Sequence, residues 1–205
     1  MERYLALELA STIRHDGQGG VADDLSDVDG LGTWIGAQGA LLTRYGCPAG
    51  PVPGEEDRRD AVAVRQAVRA LFARAVSPAP PSPADAHRLL PADEAIARLN
   101  ATAARRGVVP RLDWPDEGPA VLSFAAAGPE PVPLAAALAH AAVDFLTGPQ
   151  LTRLRACTAP RCVRYFLRTH GRQEWCKPSC GNRARAARHY RRHHTSAPAT
   201  AEAAE

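Results

Sequence analysis

The chain has 205 residues and a mass of 21.8 kDa, with 45 % hydrophobic and 23 % charged residues. That balance excludes a fibre and a wholly disordered chain, and the length suits one ordinary domain plus a small appendage. The formal charge of +3 hides an asymmetry: residues 1–152 hold 13 Lys+Arg against 19 Asp+Glu, a net of −6, and residues 153–194 hold 12 against one, a net of +11.

The longest apolar stretch, Val132 to Leu146, is broken by His140 and Asp144. It falls short of the about 20 residues that a membrane-spanning helix needs, so no membrane partner is expected. Met-Glu-Arg-Tyr-Leu at the start lacks a basic head followed by an apolar core, and the expected location is the cytoplasm. Twenty-four Arg against one Lys, with 41 Ala, reflect codon bias of a GC-rich bacterial genome, so arginine number carries no message and only arginine placement does.

In chain order, Tyr4 to Ala10 alternates Leu5, Leu7 and Leu9 with Glu8 and small residues, which predicts a strand. His15 to Gly20 is a turn, and the acidic stretch Asp23 to Asp29 precedes a helix carrying Leu31, Trp34, Ile35 and Gln38. Gly46 to Gly54 is a loop with three prolines. Glu55 to Ser77 predicts a helix with Val64, Val68, Leu71, Phe72 and Ala75 on one face and arginines opposite. Pro83 to Leu90 and Pro91 to Arg106 predict two more helices, each with proline near its first turn. Leu89, Leu90, Ile96 and Leu99 would supply their apolar faces. Val108 to Trp114 and Ala120 to Ala126 predict two strands around the turn Pro115 to Pro119. Pro133 to Leu146 predicts a helix with Leu134, Leu138, Ala142 and Phe145 inward, ended by Gly148-Pro149. Val163 to Leu167 and Arg172 to Trp175 suggest a short hairpin turned at Thr169-His170-Gly171. Cys180 opens a last helix, Gly181 to about His193, and residues 195–205 read as a disordered tail.

Four of five cysteines, Cys157, Cys162, Cys176 and Cys180, follow the spacing C-x4-C-x13-C-x3-C. In a chain with no secretion signal such pairs are metal ligands rather than disulfides. Tetrahedral zinc takes four thiolates, and a site so filled leaves no position for a reactive water. The expectation is one structural Zn2+. A basic 42-residue segment cannot bury enough apolar surface to fold alone, and structural zinc supplies roughly 10–16 kcal/mol of apparent binding energy to folding. Cys47, in a Gly/Pro loop, reads as a spare thiol.

These C-terminal residues resemble the CGNR zinc finger. Cys157-x4-Cys162, Glu174-Trp175-Cys176 and the tetrapeptide Cys180-Gly181-Asn182-Arg183, followed by an Arg/Ala helix, carry the resemblance. In that family the finger follows an α+β domain named ABATE, whose members are described as stress-induced transcription regulators. Leu5-Ala6-Leu7-Glu8-Leu9, the Leu/Trp-Ile helix and Leu134 to Phe145 are similar to such a domain. Where it usually has Val-Asn-Thr after the first strand, this chain has Ala10-Ser11-Thr12. The resemblance implies an α+β fold, with an ABATE-like domain over residues 1–150 and a hairpin-plus-helix zinc finger over residues 151–194.

At 100° per residue from Arg183, Arg185, Arg188 and Arg192 fall at about 200°, 140° and 180°, with His189 beside them. Ala184, Ala187 and Tyr190 lie opposite, with Arg183 and Arg191, on the side able to face the zinc module. An arginine stripe can follow a phosphate backbone or address guanine edges. Arg183, Arg185, Arg188, Arg191 and Arg192 are therefore the candidate nucleic-acid contacts. The Asn182 amide is expected to bond the backbone of the knuckle, and Arg183 to buttress it. The expected partner is DNA, near the nucleoid, with the N-terminal domain sensing a small ligand or mediating assembly as a homodimer. RNA is the alternative partner, with Phe166, Trp175 and Tyr190 stacking on unpaired bases; an acidic protein surface is another. Asp24 to Gly30 fails as a calcium loop, since Leu25 takes the first ligand position. His15, His87 and His140 are isolated, Trp34 and Trp114 read as core, and no nucleophile–base set emerges, so no enzymatic activity is expected.

Overall fold

The alternating leucines at the N-terminus form a helix rather than a strand: α1 spans Leu5–Ala10. Leu5, Ala6, Leu9 and Ala10 are buried, a spacing of one, three and one that matches a helical stripe. The computed structural model describes residues 3–18, 20–47, 52–85, 89–105 and 107–194. The loop around residue 50, His87 and the tail at 195–205 lie wholly or partly outside those residues.

The turn at residues 15–20 joins two short antiparallel strands, β1 (Ile13–His15) and β2 (Val21–Asp23). Helix α2 (Val28–Arg44) begins at Asp27, whose carboxylate accepts from the Gly30 N–H at 2.7 Å, an N-cap that satisfies one orphan donor. Its buried residues include Leu31, Trp34 and Gln38, as expected. Gly46 then turns the chain at φ +73°, where a Cβ would lie 2.9 Å from Val132, so both the backbone and the space call for glycine.

Helix α3 (Glu55–Val76) runs through the middle of the fold. Ala61, Val64, Val68, Leu71 and Phe72 face the core. Ala75, expected on that face, is exposed, and two arginines expected opposite are not. Arg65 and Arg69 are each 4 % exposed. Each guanidinium forks onto a carboxylate, the arrangement that makes a buried cation tolerable. Arg65 donates to both Asp23 oxygens at 2.5 and 2.6 Å, and Arg69 to both Asp85 oxygens at 2.7 and 3.0 Å. Arg65 also donates to Thr12 Oγ1 at 2.9 Å, and Arg69 to the Ala10 carbonyl at 2.6 Å. The Ala-Ser-Thr segment thus ends α1 against the two arginines.

Among the described residues of the helix expected over residues 83–90, Pro83–Asp85 forms a 3-10 turn; there Ser82 and Asp85 are drawn inward to meet Arg69. Helix α4 (Ala92–Ala103) buries Leu99, whereas Leu89 and Ile96 are exposed. Strands β3 (Val108–Asp113) and β4 (Val121–Ala126) pair antiparallel as the pattern predicts. The ribbon meets the body where Phe124 stacks on Tyr45 with ring centroids 5.8 Å apart. Its far end leaves Leu112 and Trp114 exposed, so Trp114 is not core. The alanine-rich α5 (Leu134–Thr147) is almost wholly buried and packs against α1, α3 and α4.

After a 3-10 turn at Pro149–Arg153 come β5 (Leu154–Ala156), β6 (Tyr165–Leu167) and α6 (Pro178–His194). β6 pairs with β5, not with residues 172–175. The reason is burial: Leu154, Ala156 and Tyr165 belong to the same apolar cluster as α1, α3 and α5, so β5 and β6 are held against α3 by side chains that residues 172–175 do not have. Among the described residues each sheet is a two-stranded antiparallel ribbon, and the architecture is α+β. Among the described residues no helix is long and apolar enough to cross a membrane.

Candidate metal centre and nucleic-acid interface

Two tight turns bring the four cysteines together. In the first, the Cys162 N–H donates to the Ala159 carbonyl at 3.0 Å, and Arg161 adopts φ +62°. In the second, the Cys180 N–H donates to the Lys177 carbonyl at 3.0 Å as α6 begins. The Cys157 N–H donates to the Arg164 carbonyl at 2.9 Å, closing the loop between β5 and β6.

All four sulfurs lie within 4.8 Å of one another. Cys162 and Cys176 are 3.7 Å apart at sulfur, and Cys176 and Cys180 3.5 Å. A tetrahedron of thiolates at a Zn–S distance of about 2.3 Å has edges of about 3.8 Å, so the donor set fits zinc with little adjustment. Cys157, Cys162 and Cys180 are buried and Cys176 is half-buried. The sulfurs share protons unequally. Hydrogen bonds with Cys157 and Cys176 hold the Cys162 thiol down, while contact with Cys157 and Cys162 pushes Cys176 up. A divalent cation removes that conflict by holding every thiol deprotonated. The Cys176 N–H also points to Cys157 Sγ at 3.5 Å.

Phe166, Ala159, Trp175 and Ala184 complete a small apolar cluster around the sulfurs. Trp175 lies against α6 at Gly181, where a Cβ would come 3.1 Å from the indole ring. The glycine of the tetrapeptide therefore lets the ring approach the helix closely. Arg183 donates through Nη2 to Cys180 Sγ at 3.1 Å and through Nε to the Pro160 carbonyl at 3.2 Å, tying the second turn to the first. The Asn182 side chain is exposed and accepts from Arg185 at 2.5 Å, so among the described residues it meets that guanidinium rather than the knuckle backbone.

Gly181, Ala184 and Ala187 form the inward side of α6, with Gly181 buried and both alanines half-buried. Tyr190, expected beside them, is 64 % exposed because the helix has by then run past the module. Arg183, Arg185, Arg188, Arg191 and Arg192 are all exposed. Arg188 and Arg191 border a recess with Thr158, Pro160, Glu174 and Trp175, and Arg185 borders another with Arg172 and Lys177. Phe166 is only 8 % exposed, so it presents no face for stacking. Cys47 lies half-buried, and burial pushes its thiol up, which makes it a poor nucleophile.

Comparison with known families matches these two parts of the chain. The ABATE model, described as "Putative stress-induced transcription regulator", matches residues 4–149, and the CGNR zinc finger model matches residues 153–193. The chain belongs to the ABATE family. It carries the CGNR finger with one structural zinc at Cys157, Cys162, Cys176 and Cys180. A search of curated proteins returns no significant match.

The ABATE portion holds what sequence reasoning missed, the Arg65–Asp23 and Arg69–Asp85 pairs. Their signal was present: two arginines four residues apart sit inside the stripe Ala61, Val64, Val68 and Phe72, where an isolated charge cannot stay unpaired.

Proposed function

We propose that this ABATE–CGNR protein is a DNA-binding transcription regulator whose finger grips the duplex through α6. The carrying observation is that five arginines stand exposed along a helix whose first turn is anchored by Cys180 and Gly181. The sequence from residue 175 to residue 194 contains no acid, and Glu174 borders the recess that Arg188 and Arg191 line. Phosphate contacts supply affinity and register, and one or two guanidiniums against guanine supply sequence preference. In this reading residues 1–150 are a regulatory unit that senses a small molecule or assembles the protein as a dimer, and residues 151–194 are the contact unit. Catalysis has no part in it, and the working place is the cytoplasm, at the nucleoid.

The experiment is selection of bound fragments from sheared genomic DNA by the zinc-loaded full-length protein, with single-stranded DNA and RNA as competitors. A shared enriched sequence that survives competition supports a specific regulator. Retention lost to RNA or single strands moves the partner to RNA, and no retention at low salt overturns nucleic-acid binding altogether.

A further inference from the structure

Arg65 and Arg69 lie one turn apart on α3 and form the floor of a cleft of about 600 Å³, within the roughly 300–1,000 Å³ common for small-molecule sites. Its apolar walls come from Ile13 and Val21 of the β1–β2 hairpin, Val62 of α3, and Leu89. The four charged side chains at the floor are not equally accessible. Those of Arg65, Arg69 and Asp85 are 5 %, 5 % and 8 % exposed, whereas Asp23 is 35 % exposed. The group presented to an incoming molecule is therefore a carboxylate, with both guanidiniums behind carboxylates that already fill their forks.

Asp23 also keeps capacity to accept. Oδ1 takes the Arg65 Nη1 at 2.5 Å and the Leu25 N–H at 2.8 Å, but Oδ2 takes only Arg65 Nη2 among the described residues. A carboxylate oxygen has two acceptor directions, which leaves one open. The net −6 of residues 1–152 adds a field that draws cations and repels anions.

We propose that this cleft binds a small organic cation, a protonated amine carrying an aromatic or branched apolar group, with the ammonium on Asp23 and the apolar group among Ile13, Val21, Val62 and Leu89. It rests on the reading of residues 1–150 as a sensing unit. A carboxylate or phosphate ligand is disfavoured, because it would meet Asp23 before either guanidinium.

The test is calorimetric titration of the zinc-loaded full-length protein with benzylamine, benzyl alcohol and benzoate, three probes of nearly equal size. Benzylamine should bind saturably with one site per chain, at least about tenfold tighter than the other two, as one charge-matched contact predicts. Val21→Trp, at a 51 % exposed wall position, should fill the cleft and abolish binding without touching either ion pair. Asp23→Asn should abolish it by removing the charge, and Val21→Trp keeps the test decisive if that variant fails to fold. No saturable benzylamine binding, benzoate binding as tightly as benzylamine, or unchanged affinity in Val21→Trp overturns the proposal. DNA retention is measured on the same preparation. Retained DNA binding without amine binding sinks the cleft alone, and the reverse sinks the DNA reading alone.

Discussion

Arg69 in α3 donates through Nη2 to the carbonyl of Val163 at 3.3 Å, across 94 positions of sequence, and Val163 immediately follows the zinc ligand Cys162. The Ser82 hydroxyl donates to the same carbonyl at 2.9 Å, and the Tyr165 hydroxyl donates to Asp85 at 2.7 Å. Tyr165 also meets Phe72 edge-on with centroids 5.5 Å apart. The finger and the body therefore share one buried polar network as well as one apolar cluster.

Zinc removal should loosen the body as well as the finger. Residues that the knuckle positions, Leu154, Ala156 and Tyr165, belong to the main core, so metal binding energy is linked to that core. Chelation is expected to raise hydrogen-exchange rates of α3 amides together with those of α6, and Cys157→Ser or Cys176→Ser should do the same. Unchanged α3 protection would show instead two independent units.

Tyr165→Phe isolates the polar part of this link. The ring and its Phe72 contact remain, but the hydroxyl that bonds Asp85 and accepts from the Ser82 N–H at 3.3 Å is lost. Burial and the Asp85 charge push the Tyr165 hydroxyl above its ordinary range, so at neutral pH it is a protonated donor. Loss of one buried donor should cost about 1–3 kcal/mol, read as a lower urea midpoint with an unchanged slope. A stability equal to that of the parent would remove the network from the coupling.

The arginines of α6 should separate into two kinds. Arg185→Ala, Arg188→Ala and Arg192→Ala combined should weaken DNA binding and flatten its salt slope by about three, with one zinc per chain retained. Arg183→Ala should in addition weaken zinc retention in a colorimetric competition assay, because its guanidinium reaches Cys180 Sγ and the Pro160 carbonyl. Equal zinc affinity in both variants would make Arg183 a contact residue like the others.

Stability should fall on acidification through Asp23. Burial works to raise its carboxyl, but the Arg65 hydrogen bonds, the Leu25 N–H and the Arg65 and Arg58 charges outweigh it and hold the group below the usual 3.8. A carboxylate with a depressed folded-state value contributes stability that is full above its unfolded value and is lost as pH falls through the folded one. Urea midpoints followed downward from about pH 5 should show this loss in the parent chain and a shallower one in Asp23→Asn. Parallel profiles would place the acid sensitivity elsewhere.

The metal centre was legible because ligand chemistry is local: Cys157-x4-Cys162 and Cys176-x3-Cys180 each close within one turn, and a thiolate pair at that spacing has few other uses. Long apolar periodicities were legible for the same reason, so α3 and α5 fall near their predicted bounds, as does the β3–β4 ribbon, and α2 carries the residues expected of it. The Leu5-Leu7-Leu9 alternation misled, since six residues suit either period and α5 was needed to choose the helix. Residues 163–167 could have paired with the segment after them or before them. Burial of Tyr165 and Leu154 on α3 chose β5.

What the chain determined by itself was thus the set of groups that bind zinc, the cationic helix, and the elements whose pattern is long enough to have one solution. What tertiary structure alone decided was the partner of each buried charge. The stripe of α3 marks Arg65 and Arg69 as inward-facing, but Asp23 and Asp85, 42 and 16 positions away, are identified as their partners only by the fold. A buried guanidinium is tolerable only with a carboxylate in its fork, and that pairing exists only once the β1–β2 hairpin and the Pro83–Asp85 turn have closed on α3.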